Sequence, residues 1–521
     1  MPSAVRPSTV RLGAVLLAAA LLLTACVPGS SPGEGRIRVS AVPGAAVDRP
    51  VLPAVDPDVP GLVAGLPGAG LTAYAKQQVA WSDCGEDTQC ATVLAPLDYA
   101  NPSQRAVTLA LRRLAATRSP KLGTLFINPG GPGASGTGLV TSFDTDGLER
   151  YDVVGWDPRG TGGSTPVRCF GDEEADAYNS LDFSPDTEAE RTAMIEAAYD
   201  LGTSCWERSG VLLEHISTIE TVRDLDLLRQ LVGDQRLHFL GYSYGTQIGA
   251  TYAELFARST GKLVLDAAVN ITQDDDVIQA MGFDLALGNF ADWCATRDCA
   301  LGGTKQKVLA AITGLFDRLD GSPLTTGGRL LTQSLAVTGT AAVLYGGKAA
   351  WPSLVAVLNA GIRGNGAGLL GAADSLNDRD QQGRYGTMFF AFPAISCLDT
   401  GEDKGVLDAD RQWQEDIAKA PIFGRYFGPQ YGCALWPVRP SRQLDITGAD
   451  AEPLLVIGGT GDNATPYQQA VSMAEQLKSG VLVTYSGEGH GSYGGKSSCV
   501  DAIVVAYLVK GTVPADGVRC S

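Results

Sequence analysis

Leu237-His238-Phe239-Leu240-Gly241-Tyr242-Ser243-Tyr244-Gly245-Thr246-Gln247-Ile248-Gly249 decides how this chain is read. An apolar run with the look of a buried strand ends in G-x-S-x-G and passes directly into a helical pattern. In that context the motif is a nucleophile elbow, a turn so tight that the neighbours of the serine must be small. Gly241 and Gly245 meet that demand beside the bulky Tyr242 and Tyr244. Such a turn lifts the Ser243 hydroxyl clear of the backbone. It also leaves the Tyr244 N–H at a helix N-terminus, aimed at developing negative charge. With 64 glycines in the chain, the five-residue pattern alone would mean little. The strand before it and the helix after it give it weight.

At 521 residues the chain holds either two domains or one core with a large insertion. Its net charge of −17 argues against nucleic acid or an anionic membrane surface as a partner. The amino terminus carries Arg6 and Arg11, then an apolar run from Leu12 to Leu23, then Thr24-Ala25-Cys26. This is the layout of an export signal, and the run is shorter than the roughly 20 residues that span a bilayer. The ending resembles a bacterial lipobox, which implies cleavage and lipid attachment at Cys26; a plain secretory signal is the alternative. Eleven cysteines minus a lipidated one leave an even number, as expected of an exported disulfide-bonded protein. Sequence leaves their connectivity open. Pairing neighbours is the simplest scheme: Cys84–Cys90, Cys169–Cys205, Cys294–Cys299, Cys397–Cys433 and Cys499–Cys520. Without C-x-x-C and with three histidines, structural zinc is not expected.

Residues 1–26 are thus read as a lipoprotein signal and 27–78 as a Pro/Gly-rich tether. Strand patterns at 107–114, 123–128, 151–156, 237–242 and 263–266 alternate with helical ones such as 218–232. That alternation means a parallel sheet covered on both faces. From 275 to 445 the strand pattern fades into helical stretches, including 307–319 and 349–360, read as a helical cap inserted between core segments 79–274 and 446–521. Sheet character returns at 453–458 and 481–485, and a last helix covers 497–509.

A serine hydroxyl needs a base to take its proton, and that base is usually a histidine held by a carboxylate. Each of the three histidines can be weighed. His238 lies within the elbow strand and reads as a core residue. His215, ahead of the helix leading to that strand, reads as a surface or capping residue. His490, in Gly487-Glu488-Gly489-His490-Gly491-Ser492, follows the last strand, where a catalytic base belongs. Asp462 stands in the same relation to the preceding strand; Glu488 is an alternative carboxylate, poorly placed to orient a ring so near it. Ser243, Asp462, His490 is the chain order of α/β hydrolases. The second oxyanion donor, beside the Tyr244 N–H, is expected from the turn at 130–133, most simply at Gly131. That turn also spells G-x-G-x-x-G, with Asp157 where a ribose-binding acid would stand. A dinucleotide site would leave the serine, aspartate and histidine unexplained, and no cofactor is expected.

With Asn128-Pro129-Gly130-Gly131-Pro132-Gly133, Gly155-Trp156-Asp157-Pro158-Arg159-Gly160, Gly241 to Thr246, Ala394-Ile395-Ser396-Cys397-Leu398-Asp399 and the segments of Asp462 and His490, the chain resembles the exported bacterial tripeptidyl aminopeptidases and cell-envelope serine proteases, relatives of proline iminopeptidase. The resemblance covers roughly 80–521. It implies an α/β-hydrolase fold with a helical cap and release of short peptides from free N-termini; some relatives are described as esterases or endoproteases. One departure is Asp462-Asn463-Ala464-Thr465-Pro466, where the family often has a proline after the acid. An aminopeptidase also needs an anion for the substrate's ammonium group. Asp399 is the candidate, with a helix cap or structural ion pair as its other reading. Two other functions stay open: a carboxylesterase with the same triad, and a lipoprotein whose hydrolase fold only binds. Peptide or protein substrates, a membrane contact through Cys26 and a monomeric state complete the expectations.

Overall fold

The computed structural model describes residues 48–52, 59–68, 70–272, 276–400 and 403–521. The signal segment with Cys26 lies outside the described residues, as does most of 27–58. In chain order the strands are β1 Val63–Ala64, β2 Ser82–Gly85, β3 Thr88–Pro96, β4 Arg105–Leu114, β5 Gly123–Asn128, β6 Tyr151–Trp156, β7 Leu237–Tyr242, β8 Thr260–Asp266, β9 Leu324–Thr326, β10 Arg329–Leu331, β11 Leu454–Gly461, β12 Gly480–Glu488 and β13 Val518–Cys520. Among the described residues, eleven strands join in one sheet ordered β13-β12-β11-β8-β7-β5-β6-β4-β3-β2, with β1 on β4; β9 and β10 form a separate hairpin. Neighbours from β13 to β6 run parallel. The remainder, from β6–β4 outward, pair antiparallel.

The apolar runs explain the parallel part. Strands buried on both faces need no polar alternation, and every residue of Tyr151–Trp156 is buried. The period of two still sorts side chains between layers. Phe126, Val154, Phe239, Leu265 and Val456 enter one core; Leu125, Ile127, Val153, Leu240, Val264 and Ile457 enter the other.

Between β8 and β11 the chain is mostly helical, with helices over Gln279–Ala295, Lys305–Gly321, Gln333–Leu344, Gly347–Ile362, Ala367–Leu376, Thr387–Asp399 and Val406–Lys419. The first five, with the β9–β10 hairpin, surround a core of their own built on Phe283, Phe290, Leu315, Phe316, Trp351 and Leu369. The helix Thr387–Asp399 differs. Its Phe390, Ala394, Ile395 and Leu398 belong to the core beneath the sheet. The inserted segment therefore divides in two, which its uniform helical pattern did not reveal.

The amino-terminal stretch corrects the reading of 27–78 as a tether. From Val59 onward it is built into the domain. β1 pairs with β4, and Tyr74 is 1% exposed. The Tyr74 hydroxyl donates to Pro102 O at 2.8 Å and accepts Leu66 N–H at 3.1 Å. Earlier still, Arg49 donates to the carbonyls of Trp436 and Val438. A Pro/Gly-rich composition signals weak local structure, but one aromatic satisfied at both ring and hydroxyl suffices to dock it. The sequence reading also passed over the helix Glu188–Ser209, whose buried residues (Met194, Ile195, Ala198, Leu201, Cys205, Trp206) recur at helical spacing. The five disulfides follow the neighbour pairing. Cys397–Cys433 fastens the end of helix Thr387–Asp399, and Cys499–Cys520 ties the last helix to β13.

Candidate active site

Ser243 directly follows β7 and holds φ 55°, a left-handed conformation that costs a non-glycine residue energy and persists only where surroundings enforce it. The enforcement is visible. The Ser243 N–H donates to Asp266 O at 3.0 Å, and the Ser243 carbonyl accepts Thr246 N–H at 2.8 Å and Thr246 Oγ1 at 2.6 Å. A Cβ on Gly241 would stand 2.4 Å from Gly245 O, and one on Gly245 would stand 2.9 Å from Asn128 Oδ1. Both flanking glycines are thus steric necessities. Tyr244 opens the helix Tyr244–Leu255, and its N–H meets no protein acceptor among the described residues.

The glycine-rich turn comes against this elbow from the end of β5. A Cβ on Gly130 would lie 2.5 Å from Tyr242 O, 2.9 Å from Ser243 Cβ and 3.0 Å from Tyr244 N. The Gly130 N–H is engaged by Asn128 Oδ1 at 2.9 Å. That of Gly131, the next residue (φ 105°), has no acceptor among the described residues. Gly130 was not singled out from sequence, where nothing distinguishes one glycine of the run from the next.

Asp462 and His490 leave β11 and β12, parallel neighbours in the sheet. His490 Nδ1 lies 2.8 Å from Asp462 Oδ1 and 3.1 Å from Oδ2. Asp462, 1% exposed, also accepts the N–H groups of Ala464 and Thr465 at 3.0 and 2.9 Å. Burial opposes its ionisation, but the attraction of His490 and these hydrogen bonds outweigh burial and hold its carboxyl below the usual range. An Asp–His pair of this kind keeps Nδ1 protonated, leaves Nε2 as a base and stabilises the imidazolium that forms. The His490 N–H donates to Tyr345 O at 3.1 Å, and the two rings meet edge to face at 5.3 Å. The loop of His490 also adjoins the elbow: a Cβ on Gly491 would touch the Tyr242 ring at 3.7 Å.

The other sequence candidates fall elsewhere. Glu488 accepts from Asn289 Nδ2 of the inserted helix Gln279–Ala295 at 3.1 Å, not from His490. His238 was read as a core residue but is only partly buried; its Nδ1 accepts Lys262 N–H at 3.1 Å, and burial pushes its pKa down to about 4. His215 is partly buried, with its carbonyl accepting from Arg159 at 2.8 Å. Asp399 accepts Thr218 N–H at 3.1 Å and Thr218 Oγ1 at 2.6 Å at the start of the helix Thr218–Leu231, and burial pushes its pKa up to about 6. That is the bonding of a helix-terminal acceptor. It also lines a cavity of about 540 Å³ with Tyr244, Gln247 and Ser396. Asp157 is engaged by Ser135, Thr137 and Gly163, the work of a loop anchor rather than of a ribose acceptor. Asp182, Glu190 and Asp320 bring three carboxylates together, but Glu190 already caps its own helix through Thr187.

Comparison with known proteins gives the family. Residues 123–336 match the α/β hydrolase fold family and residues 420–520 the family described as TAP-like protein. Serine protease Hip1 of Mycobacterium tuberculosis is 36% identical over 482 residues, 85% of this chain and 91% of that protein. Carboxylesterase B of the same organism is 36% identical over 488 residues, covering 87% and 93%. Tripeptidyl aminopeptidase of Streptomyces lividans is 31% identical over 485 residues, covering 87% and 89%. Relatedness at this level along nearly the whole of three proteins shows the family: the chain belongs to the α/β hydrolases with a TAP-like carboxyl-terminal region, and it is a serine hydrolase of α/β fold.

Proposed function

We propose that the chain is an exported serine aminopeptidase that releases short peptides, tripeptides among them, from free N-termini. The observation that carries the chemistry is the Asp462–His490 pair, 2.8 Å apart, on the strand ends beside a serine in a left-handed elbow. In this mechanism His490 Nε2 takes the Ser243 proton as Oγ attacks the scissile carbonyl. The Tyr244 and Gly131 N–H groups receive the oxyanion. Collapse of the tetrahedral intermediate expels the amine, which leaves with the proton held by His490. Water, activated by the same base, then hydrolyses the acyl-enzyme. Asp462 holds the ring in the required tautomer throughout.

The cavity of about 540 Å³ that Tyr244, Gln247 and Asp399 line takes in neither Ser243 nor His490, so a peptide as substrate is supported by the relatives named protease and tripeptidyl aminopeptidase. Asp399 in that cavity has acceptor capacity beyond the Thr218 contacts. The three relatives differ in name, and Carboxylesterase B, at 36% identity, keeps an esterase as the second reading. Export, lipid attachment at Cys26, a membrane contact through that lipid and a monomeric state complete the proposal. Export and lipid attachment are supported by the order of charged, apolar and small residues before Cys26 and by the disulfides.

The test is release of a chromogenic amine by protein lacking residues 1–26. Tripeptide anilides with free and with acetylated N-termini are compared with a short-chain ester, and Ser243→Ala serves as control. Preference for the free N-terminus, abolished in the control, is the expected result. Ester turnover with neither anilide cleaved would move the protein to the esterase reading. Activity surviving Ser243→Ala would sink the mechanism.

A further inference from the structure

Between the strand that ends at Ser243 and the strand that leads to Asp462 runs β8. Its last residue, Asp266, takes no part in the steps above. Asp266 is 0% exposed. Its backbone pairs with Tyr242 on one side and Ile457 on the other, so it stands in the sheet between nucleophile strand and acid strand. Its carbonyl accepts the Ser243 N–H at 3.0 Å. Its side-chain Oδ2 accepts two backbone donors, Ser492 N–H at 2.8 Å and Tyr493 N–H at 2.7 Å. Those two amides lie in the loop immediately after His490. The other oxygen, Oδ1, is buried and has no hydrogen-bond partner among the described residues. The next residue, Ala267, holds φ 55° while 1% exposed, so the backbone turns sharply there in a conformation that only its surroundings maintain.

A buried carboxylate is an expensive way to anchor a loop. Burial raises the cost of its charge, and Asp462 lies close enough to add repulsion, so its pKa is pushed up. What the position does that a neutral surface anchor could not is join two catalytic elements through one residue. Its main chain holds the serine turn, and its side chain holds the segment that carries the histidine.

We propose that Asp266 is a positioning residue for the hydrolytic reaction: it fixes the His490 loop against the Ser243 turn, so that the imidazole stands at the distance and angle that proton transfer needs. The proposal rests on the reading of Ser243 and His490 as nucleophile and base. A displacement of about 1 Å between reacting groups can cost about 10²-fold in rate, and slackening this loop is a direct route to such a displacement. Asp266 does not line the 540 Å³ cavity, and the proposed role is one of position, not of substrate binding.

The test uses the full-length chain with two readouts that do not depend on peptide specificity: turnover of a short-chain ester and the rate of covalent labelling of Ser243 by a fluorophosphonate. Asp266→Ala is expected to lower kcat and the labelling rate by about 10²-fold while KM moves by less than about threefold. Asp266→Asn keeps an oxygen where Oδ2 accepts both amides, and is expected to restore both rates to within about fivefold. In a His490→Ala background, Asp266→Ala should add no further loss, because residues acting as one unit are non-additive. A generally destabilising substitution would instead lower the folded fraction, act additively and shift labelling only in that proportion. Unchanged kcat in Asp266→Ala, an Asn variant as poor as the Ala variant, or full additivity with His490→Ala would each overturn the proposal. Should Asp266→Ala fail to fold, Asp266→Ser, whose hydroxyl is too short to reach the amides, takes its place with the same expected and overturning results. If Ser243→Ala or His490→Ala retained activity, the underlying reading would fail instead, and the two failures are thereby distinct.

Discussion

The sheet's carboxyl edge and the inserted helices above it are built on different terms. At the edge, each functional group is fixed by several hydrogen bonds: Asp462 by three amides (Ala464, Thr465, Gly491) and the His490 ring, Ser243 by Asp266 of β8 and by Thr246. The inserted segment has its own core, assembled from Phe283, Leu315 and Trp351. It meets the catalytic loops through a few contacts, such as Tyr345 against His490 and Asn289 on Glu488. The proposed chemistry thus draws on the strand ends, while the inserted segment touches those loops from a separate core. Relatives that share the chain's length yet are named protease, esterase and aminopeptidase are what such a division allows.

That contrast can be broken or sharpened experimentally. Asp462→Ala should lower kcat on every substrate by about 10⁴-fold with little effect on KM, read from ester and anilide kinetics in parallel. A loss confined to one substrate class would contradict the separation of roles. Gly130→Ala would bring a methyl group to 2.5 Å from Tyr242 O at φ 93°, so the turn must move away from the elbow and kcat should fall by about 10²-fold as the oxyanion site is displaced. Labelling by a planar acylating agent and by a tetrahedral phosphonate should both slow.

On the docked side, Asn289→Ala removes the partner of the half-buried Glu488 and should raise KM for peptides a few-fold while leaving ester turnover intact. Equal changes for both substrates would show that this contact supports the catalytic loop rather than the substrate path. The smallest effect is on stability alone. His238 titrates near 4 when folded against 6.5 in its ordinary state, because it is partly buried. Between these values the unfolded chain holds the extra proton. Its contribution is therefore complete above pH 6.5 and is lost as pH falls towards 4, by up to about 3 kcal/mol. His238→Gln should flatten the decline in thermal midpoint over that range, with activity at neutral pH unchanged.

Much of the core was legible because the relevant signals are local. The run from Leu237 to Gly249 marks strand, turn and helix together, since a serine with glycine two residues to either side, at the join of a strand and a helix, is the pattern of a nucleophile elbow. The positions of Asp462 and His490 followed from the apolar strands preceding them. Neighbour pairing of the cysteines succeeded because each bridge joins segments close in sequence, the widest separation being 36 residues. Gly130, Asp266 and Tyr345 escaped notice for the opposite reason. Each matters through what approaches it from a distant segment, and no pattern along the chain encodes that approach. The helix Glu188–Ser209 went unread although Met194, Ile195, Ala198, Leu201, Cys205 and Trp206 recur at helical spacing, because alanines and Tyr199 outside that face weaken the contrast between the two sides.

By itself the sequence determined the fold class and the elbow, pointed to Asp462 and His490, and offered neighbour pairing as the simplest of several disulfide schemes. These depend on apolar periodicity, on turn sterics and on residue types at strand ends. Only the tertiary structure decided that residues from Val59 onward dock on the domain, that Asp399 takes up the first amide of the helix Thr218–Leu231, and that Asp266 joins the elbow to the histidine loop. In each case the deciding energy is a buried hydrogen bond or packed ring between segments far apart in the chain, which exists only once the strands have brought those segments together.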